Sequence, residues 1–169
     1  MRVLIVYILV TVFSISLIGG LFVRAEEEKV EKSTNVQSEH VVILPDRLNW
    51  VDVSSLPPGA KIAILEGDPK MSGPFTMRVK FPAKYKVPVH WHPADEHVTV
   101  ISGTLNIGLG DRFDRMKVHE VPAGAFTIMP AHTNHFAWIE EETILQLHGT
   151  GPWELNYVNP EDDTRKNLN

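Results

Sequence analysis

The 169-residue chain contains no cysteine. This absence excludes disulfide scaffolds, zinc fingers, iron–sulfur centres, thiol nucleophiles and bacterial lipoproteins that are anchored through a cysteine. Basic residues are also few, since 16 Lys and Arg stand against 21 Asp and Glu, for a net charge of −5. A protein that binds the phosphate backbone needs a clustered basic face, so we expect no nucleic-acid partner.

Long amphipathic helices are missing as well, and the 12 prolines and 11 glycines favour many short turns. Short segments rich in β-branched and aromatic residues alternate with these turns, most clearly at residues 75–81, where apolar and polar side chains alternate. Residues 111–117 are expected to form a polar loop. The predicted strands are 61–65, 75–81, 86–92, 97–101, 104–109, 125–129, 135–139, 144–148 and 154–158. This spacing predicts one all-β domain, an antiparallel sandwich or barrel.

The N-terminus has the pattern of a secretory signal. Arg2 precedes an uncharged run over residues 3–23, and small side chains at Val23 and Ala25 predict cleavage after Ala25. An uncleaved membrane anchor is the alternative, because such a run is long enough to span a bilayer. Either way we expect export, to the periplasm or the medium, with membrane contact only if the segment is uncleaved. The predicted organisation is a signal at 1–25, a flexible linker at 26–40, a domain at 41–160 and a C-terminal tail, expected to be exposed, at 161–169.

Seven of the eight histidines lie between His90 and His148. On a strand, His90 and His92 point to the same face, and the turn over residues 93–95 brings Glu96 to a neighbouring strand. A lone His-x-His pair is more often a simple surface or core pair, so the added carboxylate matters. Imidazole and carboxylate donors together suit divalent Fe, Mn, Co, Ni or Zn.

These residues resemble the first cupin motif, in which H-x-H is followed after three residues by Glu and after six more by Gly. Here the matching positions are His90, His92, Glu96 and Gly103. The later stretch GAFTIMPAHTNHFAWI is similar to the second cupin motif. Its matching residues are Gly124, Pro130 and His135.

Two positions depart from that second motif. His132 stands where the motif has Gly, and Ile139 where it has Asn. Because glycine relaxes a tight turn, His132 predicts either a changed backbone or a side chain aimed at the opening of the site. Whether that side chain lies at the rim of the site or in solvent is left open.

The resemblance is to small single-domain bacterial cupins of the RmlC-like type. It implies a double-stranded β-helix, the cupin jelly-roll barrel, with one divalent metal ion (Fe, Mn, Zn, Ni or Co) held by His90, His92, Glu96 and His135. Four ligands leave two positions of an octahedral ion open for water or a small-molecule substrate. The resemblance also makes a homodimer an expectation.

Further side chains are candidates for the pocket. If Gln146 and His148 share the inner face of their strand, His148 could act as a catalytic general base. The alternative places Leu145 and Leu147 inside and the polar pair in water. His97 follows Glu96 directly, so alternation sends it to the opposite face, and His119 carries no signal.

Trp91 and Phe136 each lie one position from a proposed ligand, and Trp138 lies two positions after Phe136. All three are therefore expected on the face of their strands opposite to the ligands.

The function expected from these features is an exported, metal-dependent small-molecule enzyme of oxidoreductase or dioxygenase type. One alternative is a non-catalytic module that binds a metal or a small ligand. The other is a metal-free epimerase or isomerase that uses a histidine base in the same barrel.

Overall fold

A computed structural model describes residues 40–168. The predicted signal segment and all but the last residue of the predicted linker lie outside the described residues. Among the residues described, no helix has both the length and the apolar character needed to cross a membrane.

The described residues form eleven strands and four short 3-10 helices. The strands are β1 Val51–Asp52, β2 Lys61–Glu66, β3 Gly73–Phe81, β4 Tyr85–Trp91, β5 Glu96–Ser102, β6 Thr104–Leu109, β7 His119–Pro122, β8 Phe126–Met129, β9 His135–Ile139, β10 Thr143–Gly151 and β11 Asn156–Tyr157. The 3-10 helices are Pro45–Arg47, Arg115–Lys117, Pro160–Asp162 and Thr164–Leu168. All nine predicted strands are present. The sequence reading missed β1 and β7, which are too short or too polar to show a period.

The strands form two antiparallel sheets. One has the order β1-β2-β3-β10-β5-β8 and the other the order β11-β4-β9-β6-β7. Neighbours such as β3 and β10 are far apart in sequence, so the chain crosses repeatedly from sheet to sheet. The buried apolar cluster takes residues from both sheets, so the core lies between them. The all-β prediction is confirmed.

Strand β3 shows how alternating apolar and polar residues form a strand with one buried face. Its odd-numbered side chains from Phe75 to Phe81 are between 1% and 5% exposed, whereas Thr76, Arg78 and Lys80 are only half-buried. Strand β10 lies beside it and contributes Leu145 and Leu147 to the same core. The alternation read from the sequence therefore marks the inner face of the barrel.

The turn between β5 and β6 needs the glycine of the first motif. Gly103 has φ +74°, and a Cβ atom there would lie 2.4 Å from Oγ1 of Thr143. Thr143 is fully buried, and its hydroxyl donates to the carbonyl oxygen of Glu141 at 3.0 Å. Only glycine fits both the backbone conformation and the space.

The three aromatic residues predicted on the outer face contact side chains of their own chain. The ring of Phe136 is fully buried and packs on Phe113, with 5.0 Å between ring centroids. Trp138 lies 3.3 Å from the guanidinium of Arg115. The homodimer stays a prediction.

The C-terminal residues differ from the exposed tail that the sequence predicts. Residues 162–165 are half-buried, and the hydroxyl of Thr164 hydrogen-bonds to the carbonyl oxygens of Ser54 at 2.7 Å and Leu56 at 3.2 Å. The sequence did not predict these contacts, because polar composition does not reveal hydrogen bonds to a backbone more than a hundred residues away.

The core makes a direct stability prediction. Ile139 is fully buried, so Ile139→Ala should lower the free energy of unfolding by about 2–5 kcal/mol, from lost burial and the cavity left behind. Ile101 is 42% exposed, and Ile101→Ala should cost less than about 1 kcal/mol. Urea denaturation followed by circular dichroism measures both. Equal losses in the two variants would contradict the assigned core.

Candidate metal centre

The site is built from the ends of three strands. His90 on β4 pairs in register with His135 on β9, and His92 follows β4 by one residue. The chain then turns, and Glu96 opens β5. A register shift in β4 before His90 adjusts the strand just where the site begins.

These four side chains are deeply buried, with exposures of 5% for His90, 2% for His92, 8% for Glu96 and 2% for His135. Thr143 is the one other polar side chain that is buried among the described residues. Burying titratable groups is costly unless they are paired or coordinate a metal. Their concentration at one place therefore points to a purpose beyond packing.

The structure brings the predicted tetrad together. One ligand nitrogen from each of His90, His92 and His135 lies within 4.8 Å of the others. The carboxylate of Glu96 completes the group, with Oε1 3.6 Å from Nε2 of His92 and Oε2 3.8 Å from Nε2 of His135. Buried His90, His92 and His135 could hold a metal ion.

Backbone carbonyl oxygens fix the orientation of all three imidazoles. The Nδ1 atoms of His90, His92 and His135 lie 2.7, 2.8 and 2.8 Å from the carbonyl oxygens of Pro88, Glu154 and Thr133. A carbonyl oxygen only accepts, so each Nδ1 carries the hydrogen and donates it. Each Nε2 is left with a free lone pair, the arrangement that metal-binding histidines need.

One of these Nε2 atoms lacks any hydrogen-bond partner among the described residues. Nε2 of His92 is buried and has no hydrogen-bond partner. A buried polar atom without a partner is costly, and a cation at this place would satisfy it. The donor set and this orphaned atom together fit a divalent metal ion.

Burial also sets the charge state of the site. Loss of hydration lowers the pKa of His90 well below its usual value and that of His92 to about 3, with His135 adding to both shifts. Desolvation lowers the pKa of His135 too, and raises that of Glu96 to about 8. The imidazoles are thus neutral and ready to coordinate, and a cation would supply the charge that stabilises an ionised Glu96.

Trp153 is a site residue that sequence reasoning missed. Its ring stacks on the imidazole of His92, with 4.2 Å between centroids and 21° between planes, and it also contacts Phe75. It lies in the segment after β10, outside both motifs, so no spacing pointed to it. The carbonyl of Glu154 was missed because a sequence does not show which main-chain oxygens face a site.

The four side chains line a cavity of about 750 Å³ inside the barrel. Its inner walls are apolar and come from both sheets, including Val79, Val98, Ile107 and Leu147. Residues 52–56, 69–70 and 152–155 also line it, together with Arg165. Polar side chains in the lining thus belong either to the tetrad or to this second set of loops and termini, which we call the mouth.

The structure corrects the prediction for His148. Leu145 and Leu147 line the cavity, and the alternating residues Gln146 and His148 lie on the opposite face of β10. His148 stacks on His97, with 5.0 Å between ring centroids, and Gln146 accepts a hydrogen bond from Arg78 at 3.2 Å. The prediction of His148 as a general base in the pocket is wrong, because burying the leucine pair is more favourable than burying the polar pair.

The side chain of His132 lies in solvent, one of the two positions that the sequence left open for it. The φ of His132 is +60°, so it keeps the left-handed backbone that a glycine would adopt, and its amide donates to the carbonyl of His92 at 2.8 Å. The side chain is exposed, with its ring centroid 5.1 Å from that of Trp91. A non-glycine residue accepts this conformation at a cost of about 1–2 kcal/mol.

Comparison with known proteins identifies the family. Residues 38–154 match the family model for the ChrR Cupin-like domain, and the chain belongs to this family. No curated protein matches it. The fold is accordingly the predicted cupin jelly-roll barrel.

Solved structures share this fold at low sequence identity. The polyketide cyclase RemF from Streptomyces resistomycificus is 13% identical with a TM-score of 0.61, over 76% of this chain and 92% of that one. An RmlC-like cupin from Shewanella frigidimarina is 19% identical with a TM-score of 0.52, over 67% and 91%. Salicylate 1,2-dioxygenase from Pseudoaminobacter salicylatoxidans is 11% identical with a TM-score of 0.52, over 63% and 31%.

Alanine substitutions test which side chains point into the proposed metal site and which point away from it. His92→Ala and Glu96→Ala should each lower metal affinity by at least ~10-fold, because each removes a buried donor. His97→Ala, one residue from Glu96 but on the outer face, should leave it unchanged. Metal content after dialysis against a weak chelator, measured by mass spectrometry, checks this. Equal loss in all three variants would contradict the face assignment.

Proposed function

We propose that this chain is an exported, metal-dependent enzyme that acts on small molecules, of oxidoreductase or dioxygenase type. One observation carries the proposal. Three oriented imidazole nitrogens and a buried carboxylate converge on the wall of an apolar cavity large enough for a small molecule.

The proposed ligands are His90, His92, Glu96 and His135. Three nitrogen donors and one oxygen donor suit divalent Fe, Mn, Co, Ni or Zn, and no thiolate is present to favour a softer ion. An ion bound there would supply Lewis acidity, and as Fe it would add redox chemistry with O₂. Four protein ligands leave room on an octahedral ion for substrate.

The chain's own residues hold and isolate the substrate. Apolar walls from both sheets exclude water from its body, while Trp153 packs against the ring of His92 and helps to keep it in place. A substrate that fills the barrel is therefore held beside the tetrad in a restricted set of orientations, and such positioning contributes to rate.

The geometry favours this function over a metal-free isomerase. Such an enzyme would need one free histidine base, whereas the three histidines in the barrel converge with a carboxylate as a donor set and His148 lies outside it. A module that only stores metal has no use for a large apolar cavity next to the ion, whereas a module that binds a small ligand would use it, so product formation has to separate that alternative from an enzyme. Similar folds serve a cyclase and a dioxygenase, which supports an enzyme but leaves the reaction to be established by experiment.

Anaerobic loading with Fe(II), followed by oxygen-uptake measurements with phenols, diketones and thiols, tests the proposed reaction. We expect uptake that requires both metal and substrate and that His135→Ala abolishes. Loading with Mn, Co, Ni and Zn extends the test to chemistry without O₂. Thermal shifts caused by a ligand, with no product from any metal form, would overturn the enzyme proposal in favour of a binding module.

Export makes a separate prediction. The proposed cleavage after Ala25 should give an exported protein that begins at Glu26, readable from the intact mass of material from the periplasm or medium. Ala25→Leu should block cleavage, because the peptidase reads a small side chain there. A full-length wild-type chain in the membrane fraction would show an uncleaved anchor instead.

A further inference from the structure

Arg165 is a charged residue at the cavity that the metal centre does not use. It belongs to the 3-10 helix Thr164–Leu168 and lines the cavity at the mouth. Its side chain is 37% exposed, so it is reachable from solvent yet partly enclosed.

The guanidinium of Arg165 is held rigidly but is not saturated. Its Nε donates to Oδ1 of Asp163 at 2.7 Å, and its Nη2 donates to Oδ2 of Asp163 at 3.0 Å and to the carbonyl of Leu155 at 3.2 Å. Arginine has five N–H donors, and these bonds use three. The two on Nη1 have no acceptor within the part of the chain that the structure describes.

The anchoring of Arg165 also ties it to a segment that supports the tetrad. Its Nη2 is bound to the carbonyl of Leu155, and the preceding residue, Glu154, uses its own carbonyl to hold His92. Adjacent residues of one segment thus support both groups, and Arg165 lines the same cavity as the tetrad. A small molecule bound at Arg165 would therefore have its body in the cavity that the proposed metal ligands line.

Charges around the mouth nearly balance, so recognition must come from directed donors. Asp52 pairs with Lys61 at 2.7 Å, and Asp163 pairs with Arg165. Lys70 and Glu154 also line the cavity with opposite charge. With no strong net field, an oxygen anion is selected by a charge-assisted hydrogen bond from Nη1 of Arg165, which the bonds to Asp163 and Leu155 hold in place.

The interior determines the rest of the ligand. Beyond the tetrad and the mouth, the lining residues are apolar. Polar groups deep in the barrel would lose hydration without gaining partners, so a ligand must confine them to the mouth and to the metal. We propose that Arg165 binds the carboxylate of the substrate and that the substrate class is small carboxylic acids with an apolar body. This inference rests on the proposed function, since it takes the barrel as the substrate site.

Two probes of the same shape test the inference, octanoate and its neutral analogue octanamide. Dissociation constants are measured by titration calorimetry on the Zn-loaded protein and on protein stripped of metal. We expect octanoate to bind the wild type at least ~10-fold more tightly than octanamide, with and without Zn, which corresponds to ~1.4 kcal/mol. Arg165→Met should bring this ratio to about one while the octanamide constant stays unchanged.

A second variant and a metal assay keep the outcomes apart. Arg165→Lys keeps the charge but loses the guanidinium plane that Asp163 and Leu155 hold in place, and should retain only part of the preference; it serves if Arg165→Met does not fold. A preference that survives in Arg165→Met but disappears without Zn would place the carboxylate on the metal and overturn the inference. Failure of both probes to bind the wild type would overturn it too. Metal content and oxygen uptake then show separately whether the proposed enzyme stands.

Discussion

The site depends on three hydrogen bonds from imidazole Nδ1 atoms to main-chain carbonyl oxygens. They decide which nitrogen of each ring carries hydrogen, and so they leave free lone pairs on three buried rings whose ligand nitrogens lie within 4.8 Å of one another. Without them, the rings could adopt either tautomer, and nothing would hold the buried Nε2 of His92 in its position facing Glu96. The apolar walls strengthen the arrangement, because they keep the histidines neutral and make a charge at Glu96 costly without a cation.

The parts of the site that could be read from the sequence are those set by local geometry. His90 and His92 share a face because a strand repeats every two residues, and Glu96 follows after one turn. The same period placed Gln146 and His148 together, but it does not say which of the two faces is inside. The packing of Leu145 and Leu147 against β3 decides that question, and this contact joins segments more than sixty residues apart.

Contacts that join distant segments are also where the sequence was silent. His92 and the carbonyl of Glu154 are 62 residues apart, and Thr164 reaches the backbone of Ser54 across 110 residues. His132 is a related case, because it stands where the motif has glycine and has a φ of +60°, which glycine adopts without strain. The hydrogen bond from its amide to the carbonyl of His92 helps to compensate the strain of this conformation.

The segment over residues 152–155 has two duties, because it borders the opening of the barrel and also supports a proposed ligand from behind through Glu154. Ligand entry and metal coordination therefore depend on the same backbone. In a relative with a wider opening for a larger ligand, a shift of this segment would also weaken the hydrogen bond that orients the histidine equivalent to His92. Changes in ligand specificity among such barrels should therefore arise in the other loops, while the backbone conformation of this segment is retained.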